Sequence, residues 1–205
     1  MNFRESLSHF RVLPVVTPIS VDSTVQLAQT LSAAGMGAIE ITLRSNSALD
    51  AIRAVRAAVP TITVAAGTVC RPADIEAAMK AGAEFLVSPG MTQALLEAAV
   101  SVDAPLLPGV ASASDVMLGL HHGLDVFKLF PAVAVGGMDL LRSLAGPFPE
   151  VLFCPTGGLT QDNFRDFLAL PNVVCCGGSW MVASALVREL QWDMIEELAR
   201  QAMAD

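Results

Sequence analysis

Short apolar runs recur along the whole chain, each followed by a longer stretch with helical punctuation, and this alternation constrains the fold more than any other feature. The runs are Val12 to Thr17, Ala38 to Leu43, Ile62 to Ala66, Phe85 to Ser88, Pro105 to Pro108, Val126 to Leu129, Val151 to Cys154 and Val173 to Cys176. Runs this short suit parallel strands covered by helices. Between them lie start and stop signals. Asp22 or Ser23 can cap a helix ending at Gly35, Pro72 can occupy the first turn of one that stops before Gly82, and Thr160 can cap one carrying Phe164, Phe167 and Leu168. After a short opening helix, eight βα units in succession predict a (β/α)₈ TIM barrel, a single domain over residues 1–205, with a doubly wound open sheet as the alternative. In a barrel, chemistry gathers at the C-terminal ends of the strands.

Composition narrows the function. With 205 residues and 53% hydrophobic content the chain can bury a large core. Its apolar runs are cut by Gly, Pro, Asp or Glu well before the roughly 20 residues a membrane-spanning helix needs. The opening Met1-Asn2-Phe3-Arg4-Glu5-Ser6 leads into no long apolar segment, so no secretory signal is expected and the cytoplasm is the expected compartment. A net charge of -8 argues against nucleic acid as a partner, and any anionic ligand must be met by local positive groups. Cys70, Cys154, Cys175 and Cys176 lack metal-site spacing and read as small buried hydrophobes in a reduced interior. His121-His122 suits a helix end better than a metal site, Trp180 and Trp192 suit packing, and neither cofactor nor metal is expected.

Lys128 stands out as one of only two lysines, set inside Val126-Phe127-Lys128-Leu129-Phe130. An ammonium among apolar neighbours loses hydration, which favours the neutral, nucleophilic amine that attacks a ketone. The structural alternatives are a lysine that snorkels to water or one that pairs with a carboxylate. In Ala38-Ile39-Glu40-Ile41-Thr42-Leu43-Arg44, strict alternation turns Ile39, Ile41 and Leu43 toward the helices and Glu40, Thr42 and Arg44 toward the interior. Glu40 and Arg44 could form a structural ion pair. Alternatively, Glu40 transfers protons and Arg44 recognises a carboxylate with its planar fork. Two glycine-rich turns, Pro155-Thr156-Gly157-Gly158 and Gly177-Gly178-Ser179-Trp180, follow the seventh and eighth runs, where barrels often bind phosphate through backbone N–H groups. Thr68, in Ala66-Gly67-Thr68-Val69, could hydrogen-bond a carboxylate, while Ser88-Pro89-Gly90 and Pro108-Gly109-Val110 are explained by turn chemistry alone.

Taken in order, Glu40-Ile41-Thr42-Leu43-Arg44, Ala66-Gly67-Thr68-Val69, Ser88-Pro89-Gly90, Pro108-Gly109-Val110, Lys128-Leu129-Phe130-Pro131-Ala132, Gly146-Pro147-Phe148-Pro149 and the two glycine-rich turns resemble the 2-keto-3-deoxy-6-phosphogluconate (KDPG) aldolase family over nearly the whole chain. The resemblance implies a metal-independent class I aldolase on a (β/α)₈ barrel, usually a homotrimer, that cleaves the phosphorylated 2-keto-3-deoxy sugar acid to pyruvate and glyceraldehyde 3-phosphate. It implies Lys128 as the Schiff-base residue, Glu40 as general acid/base, and Arg44 and Thr68 on the pyruvate carboxylate. The phosphate would lie on Thr156, Gly157, Gly158, Gly178 and Ser179. The chain departs from the family's usual pattern at Leu129, commonly Phe, and at Ala111-Ser112-Ala113-Ser114-Asp115, which keeps Ser and an acidic residue in capping positions.

Three rivals stay open on sequence alone. The nearest is the galactonate-series aldolase, which differs at one stereocentre, with 4-hydroxy-2-oxoglutarate cleavage or oxaloacetate decarboxylation as side activities of the same imine. A non-catalytic sugar-phosphate-binding barrel is the alternative from another class, because fold does not guarantee activity. A metal-dependent aldolase is disfavoured by three scattered histidines.

Overall fold

The computed structural model describes residues 3–204, so residues 1, 2 and 205 of the expected 1–205 domain lie outside it. Helix α1 (Phe3–Ser8) comes first. The chain then runs β1 (Val12–Val16), α2 (Val21–Ala33), β2 (Ala38–Thr42), α3 (Ala48–Ala58), β3 (Thr63–Gly67), α4 (Pro72–Ala81), β4 (Phe85–Val87), α5 (Gln93–Ser101), β5 (Leu106–Leu107) and β6 (Gly109–Val110). It continues through α6 (Ala113–His121), β7 (Val126–Leu129), α7 (Gly137–Ala145), β8 (Leu152–Pro155), α8 (Phe164–Leu168), β9 (Cys176–Gly178), a 3₁₀ turn at Trp180–Val182, α9 (Ser184–Arg188) and α10 (Trp192–Met203). This is an α/β fold in which every strand pairing is parallel. One sheet has six strands in the order β5-β4-β3-β2-β1-β9, the other three in the order β6-β7-β8. The sheets meet twice. Leu107 and Gly109 are joined through Pro108, and isolated parallel bridges link Phe153 to Val173 and Thr156 to Gly177.

Local chemistry places the helices. Ser20 caps α2: its side chain accepts from the Ser23 N–H and the Ser23 hydroxyl reaches back to the Ser20 N–H, a reciprocal pair that closes the first turn. The cap therefore lies at Ser20 rather than at Asp22 or Ser23. Pro72 opens α4, and Gly82 ends it at φ +99°, a left-handed conformation that a Cβ would strain. Thr160 is not the cap of α8. Asn163 holds that place, and its side chain accepts from the Thr160 N–H, so the turn comes before the helix starts.

The alternation of side chains sorts the core into two clusters. Leu27, Leu31, Ile39, Ile41, Ile52, Val64, Phe127, Leu129 and Phe153 fill the space between helices and the outer faces of the sheets. The inner faces carry Leu13, Ala38, Ala65, Phe85, Val87, Leu107, Val126, Cys154 and Cys175, joined at one end by Leu7 and Phe10 around α1. Phe10 stacks on Phe85 with ring centroids 6.2 Å apart, and Arg4 fastens α1 by donating to Asp125 and to the Glu150 carbonyl. Burying side chains of this size contributes about 1.5–3 kcal/mol each.

Strand boundaries shift where backbone partners decide them. The run Pro105 to Pro108 keeps only Leu106–Leu107 as β5, and beyond Pro108, which has no N–H to donate to a ladder, the strand resumes as β6 at Gly109–Val110. The last strand starts at Cys176 instead of Val173, because the ladder with β1 begins where Cys176 pairs with Val12, and Val173 makes only its bridge to Phe153. Among the described residues no helix is long and apolar enough to cross a membrane.

Candidate active site

The strand order brings two chain-distant charges together. β2 carries Glu40 and β7 carries Lys128, one on each sheet, both on inner faces. Lys128 Nζ donates to Glu40 Oε1 at 3.3 Å and Oε2 at 3.4 Å, with side chains only 6% and 2% exposed. The lysine therefore pairs with a carboxylate rather than snorkelling to water. A buried pair is strongly destabilised when one partner is removed, because the survivor stays desolvated and uncompensated. Gly67 on β3 makes room for it: a Cβ there would sit 2.7 Å from Glu40 Cγ and closer still to its carboxylate. The Phe130 ring lies 5.2 Å from Lys128 Nζ, which adds a cation–π contact.

Arg44 sits two residues past the end of β2, exposed at the rim, and its Nε donates to Thr68 Oγ1 at 2.9 Å. The expected alternative of a Glu40–Arg44 ion pair is thus replaced by two separate pairings, Glu40 with Lys128 and Arg44 with Thr68. Thr68 holds φ +60°, unusual for a β-branched residue, and this strained backbone aims its hydroxyl at the guanidinium. Thr42, fully buried between Glu40 and Arg44 on the same face, shares a hydrogen bond with Thr17 at 2.8 Å.

The glycine-rich turns close the other side. Gly157 and Gly158 hold φ +96° and +83°, where L side chains are strained, and a Cβ at Gly177 would strike the Thr156 side chain. Trp180 packs its ring against Gly178 and stacks on Phe164 at 5.0 Å. Between these elements lies a cavity of about 160 Å³ lined by Lys128, Arg44, Thr156, Gly157, Gly158, Gly178 and Ser179. Glu40 is tied to it through Lys128, and Thr68 through Arg44. All nine candidate residues therefore converge on one region. Val15 and Phe130 also line the cavity and were not singled out from the sequence; Val15 lies opposite Glu40 in the β1–β2 register, which no local sequence signal shows.

Three cysteines are buried, Cys154 directly opposite Lys128 in the β7–β8 register. A hydrogen bond from Cys175 lowers the Cys154 thiol pKa despite burial, with the Lys128 charge assisting. Donating that hydrogen bond, together with burial, raises Cys175, and burial raises Cys176. Cys70 corrects the expectation of four buried thiols: it lies exposed just before α4. His121 ends α6 and His122 is its C-cap. Among the described residues no cluster of three His, Cys, Asp or Glu could hold a metal.

The chemistry on offer is a buried amine within proton-transfer distance of a carboxylate, flanked by anion donors of two kinds, a guanidinium and glycine-rich backbone. The family model for KDPG and KHG aldolase matches residues 3–198. The chain is 47% identical to the 2-dehydro-3-deoxy-phosphogluconate aldolase of Pseudomonas aeruginosa, covering 94% of this chain and 88% of that one. It is 45% identical to the KHG/KDPG aldolase of Escherichia coli, covering 94% and 90%. Its fold superposes with a TM-score of 0.96, at 39% identity and 98% coverage of both chains, on the KDPG aldolase of Legionella pneumophila, a structure that captured pyruvate as a covalent carbinolamine. The family model over nearly the whole chain, the sequence identity and the fold make this chain a member of the KDPG and KHG aldolase family.

Proposed function

We propose that the chain is a class I aldolase that cleaves 2-keto-3-deoxy-6-phosphogluconate to pyruvate and glyceraldehyde 3-phosphate through an imine at Lys128, with 4-hydroxy-2-oxoglutarate as a further substrate. The observation that carries this is the buried Lys128–Glu40 pair at 3.3 Å opening onto the cavity rimmed by Arg44 and the glycine turns. Glu40 takes a proton from Nζ, and the neutral amine attacks the C2 ketone. The protonated Glu40 then delivers its proton to the departing hydroxyl, so water leaves and an iminium remains as electron sink. Glu40, ionised again, removes the C4 hydroxyl proton directly or through a water. The C3–C4 bond breaks, its electron pair passes into the iminium to form an enamine, and glyceraldehyde 3-phosphate departs. Glu40 returns the proton to C3, and hydrolysis releases pyruvate and Lys128. Arg44 and Thr68 hold the C1 carboxylate, and Thr156, Gly157, Gly158, Gly178 and Ser179 hold the phosphate.

The same proposal includes one closed eight-stranded (β/α)₈ barrel, with β5 and β6 as two parts of one strand and the bridges from β8 toward β9 as the seam. A homotrimer and a cytoplasmic location complete it. The galactonate epimer is the competing substrate, since a stereocentre is selected by fine placement of the same groups. Incubation with pyruvate and borohydride should add mass at Lys128, and pyruvate release should be faster from the gluconate epimer and survive EDTA. Labelling at another residue would overturn the assignment of the nucleophile, and faster release from the galactonate epimer would reverse that of the substrate.

A further inference from the structure

Ten arginines face a chain with twenty acids, and their pairing is uneven. Arg4, Arg53, Arg56, Arg71, Arg142 and Arg200 form ion pairs with carboxylates. Arg11 and Arg165 donate to backbone carbonyls of the C-terminal helix. Only Arg44 and Arg188 have no carboxylate or carbonyl partner among the described residues, and both line one cleft of about 830 Å³. This cleft adjoins the reacting-centre cavity through Val15, Arg44 and Ser179, which line both. Its walls add the hydroxyls of Thr17, Ser179 and Ser184 and contain no carboxylate; Glu189, next to Arg188 in sequence, is not among them.

The glycine turns themselves offer a phosphate dianion only backbone dipoles, and of the two cations that share their cavity Lys128 is already paired with Glu40, which leaves Arg44. In a chain of net charge -8, such a group needs a positive charge close by. With Arg44 committed to the carboxylate end, we propose that Arg188, carried at the end of α9, supplies that charge and selects phosphorylated substrates over unphosphorylated ones of the same carbon skeleton. This rests on the aldolase function proposed above.

The test compares KM for 2-keto-3-deoxy-6-phosphogluconate and for 2-keto-3-deoxygluconate in the full chain and in Arg188→Ala and Arg188→Lys, alongside inhibition by inorganic phosphate. Arg188→Ala should raise KM for the phosphorylated substrate about tenfold and alter that for the unphosphorylated one less than twofold, with a parallel weakening of phosphate inhibition. Arg188→Lys should recover part of both, because charge returns without the fork. Equal changes on the two substrates, or undiminished phosphate inhibition in Arg188→Ala, would overturn the assignment. If the parent chain cleaves neither substrate, the aldolase function fails instead, and calorimetric binding of inorganic phosphate judges Arg188 separately: a roughly tenfold weaker association in Arg188→Ala supports it and an equal one overturns it.

Discussion

The two ends of the inner face contrast sharply. At the end closed by α1, Leu7, Phe10, Phe85 and Val126 make a dry apolar plug. At the other, Glu40, Thr42, Lys128 and Thr156 are just as buried but polar. The same strands supply both, since moving two residues along β2 from Ala38 reaches Glu40, and two along β7 from Val126 reaches Lys128. The plug stabilises by burial alone, whereas the polar end bears desolvated groups that the rest of the core must support. Stability and chemistry are thus assigned to opposite ends, and mutations should separate them.

The widest separation is expected from Lys128→Arg, which keeps a positive charge but removes the nucleophile; pyruvate release should fall by about 10⁴-fold or more, since a guanidinium stays protonated. Glu40→Gln should lower kcat by roughly 10²–10⁴-fold through loss of proton transfer, while borohydride trapping at Lys128 slows but still labels that residue. At the plug, Phe10→Ala should lower unfolding free energy by about 3 kcal/mol, a fall in Tm of roughly 6–12 °C, with kcat within about twofold of the parent. Comparable losses of kcat from Phe10→Ala would break the division between the ends. The smallest effect is expected from Thr17→Val, which removes one hydroxyl partner of Thr42 and should lower stability by about 1 kcal/mol in urea unfolding.

Sequence periodicity revealed all but the last strand position because runs covered on both faces are apolar throughout, and it placed Glu40 inward because alternation is a local property; Lys128 was marked only by its apolar neighbours. What it could not supply was partner choice. Nothing local in the β2 motif says that Glu40 meets a lysine on another sheet while Arg44 turns to Thr68. The Thr17–Thr42 contact follows from the β1–β2 register, which is set by pairing across the sheet. The division of β5 from β6 was foreshadowed by Pro108, whose missing N–H is visible in the sequence. The exposure of Cys70 was not, because residue type alone does not place a loop.

Lys128 belongs to the three-stranded sheet and Glu40 to the six-stranded one. With the roles proposed for Lys128 and Glu40, neither half of the molecule is competent by itself, and catalytic readiness arises only when the halves have docked. Recovery of turnover during refolding is therefore a late reporter of assembly, and a fragment truncated between the two sheets keeps one charge without the other.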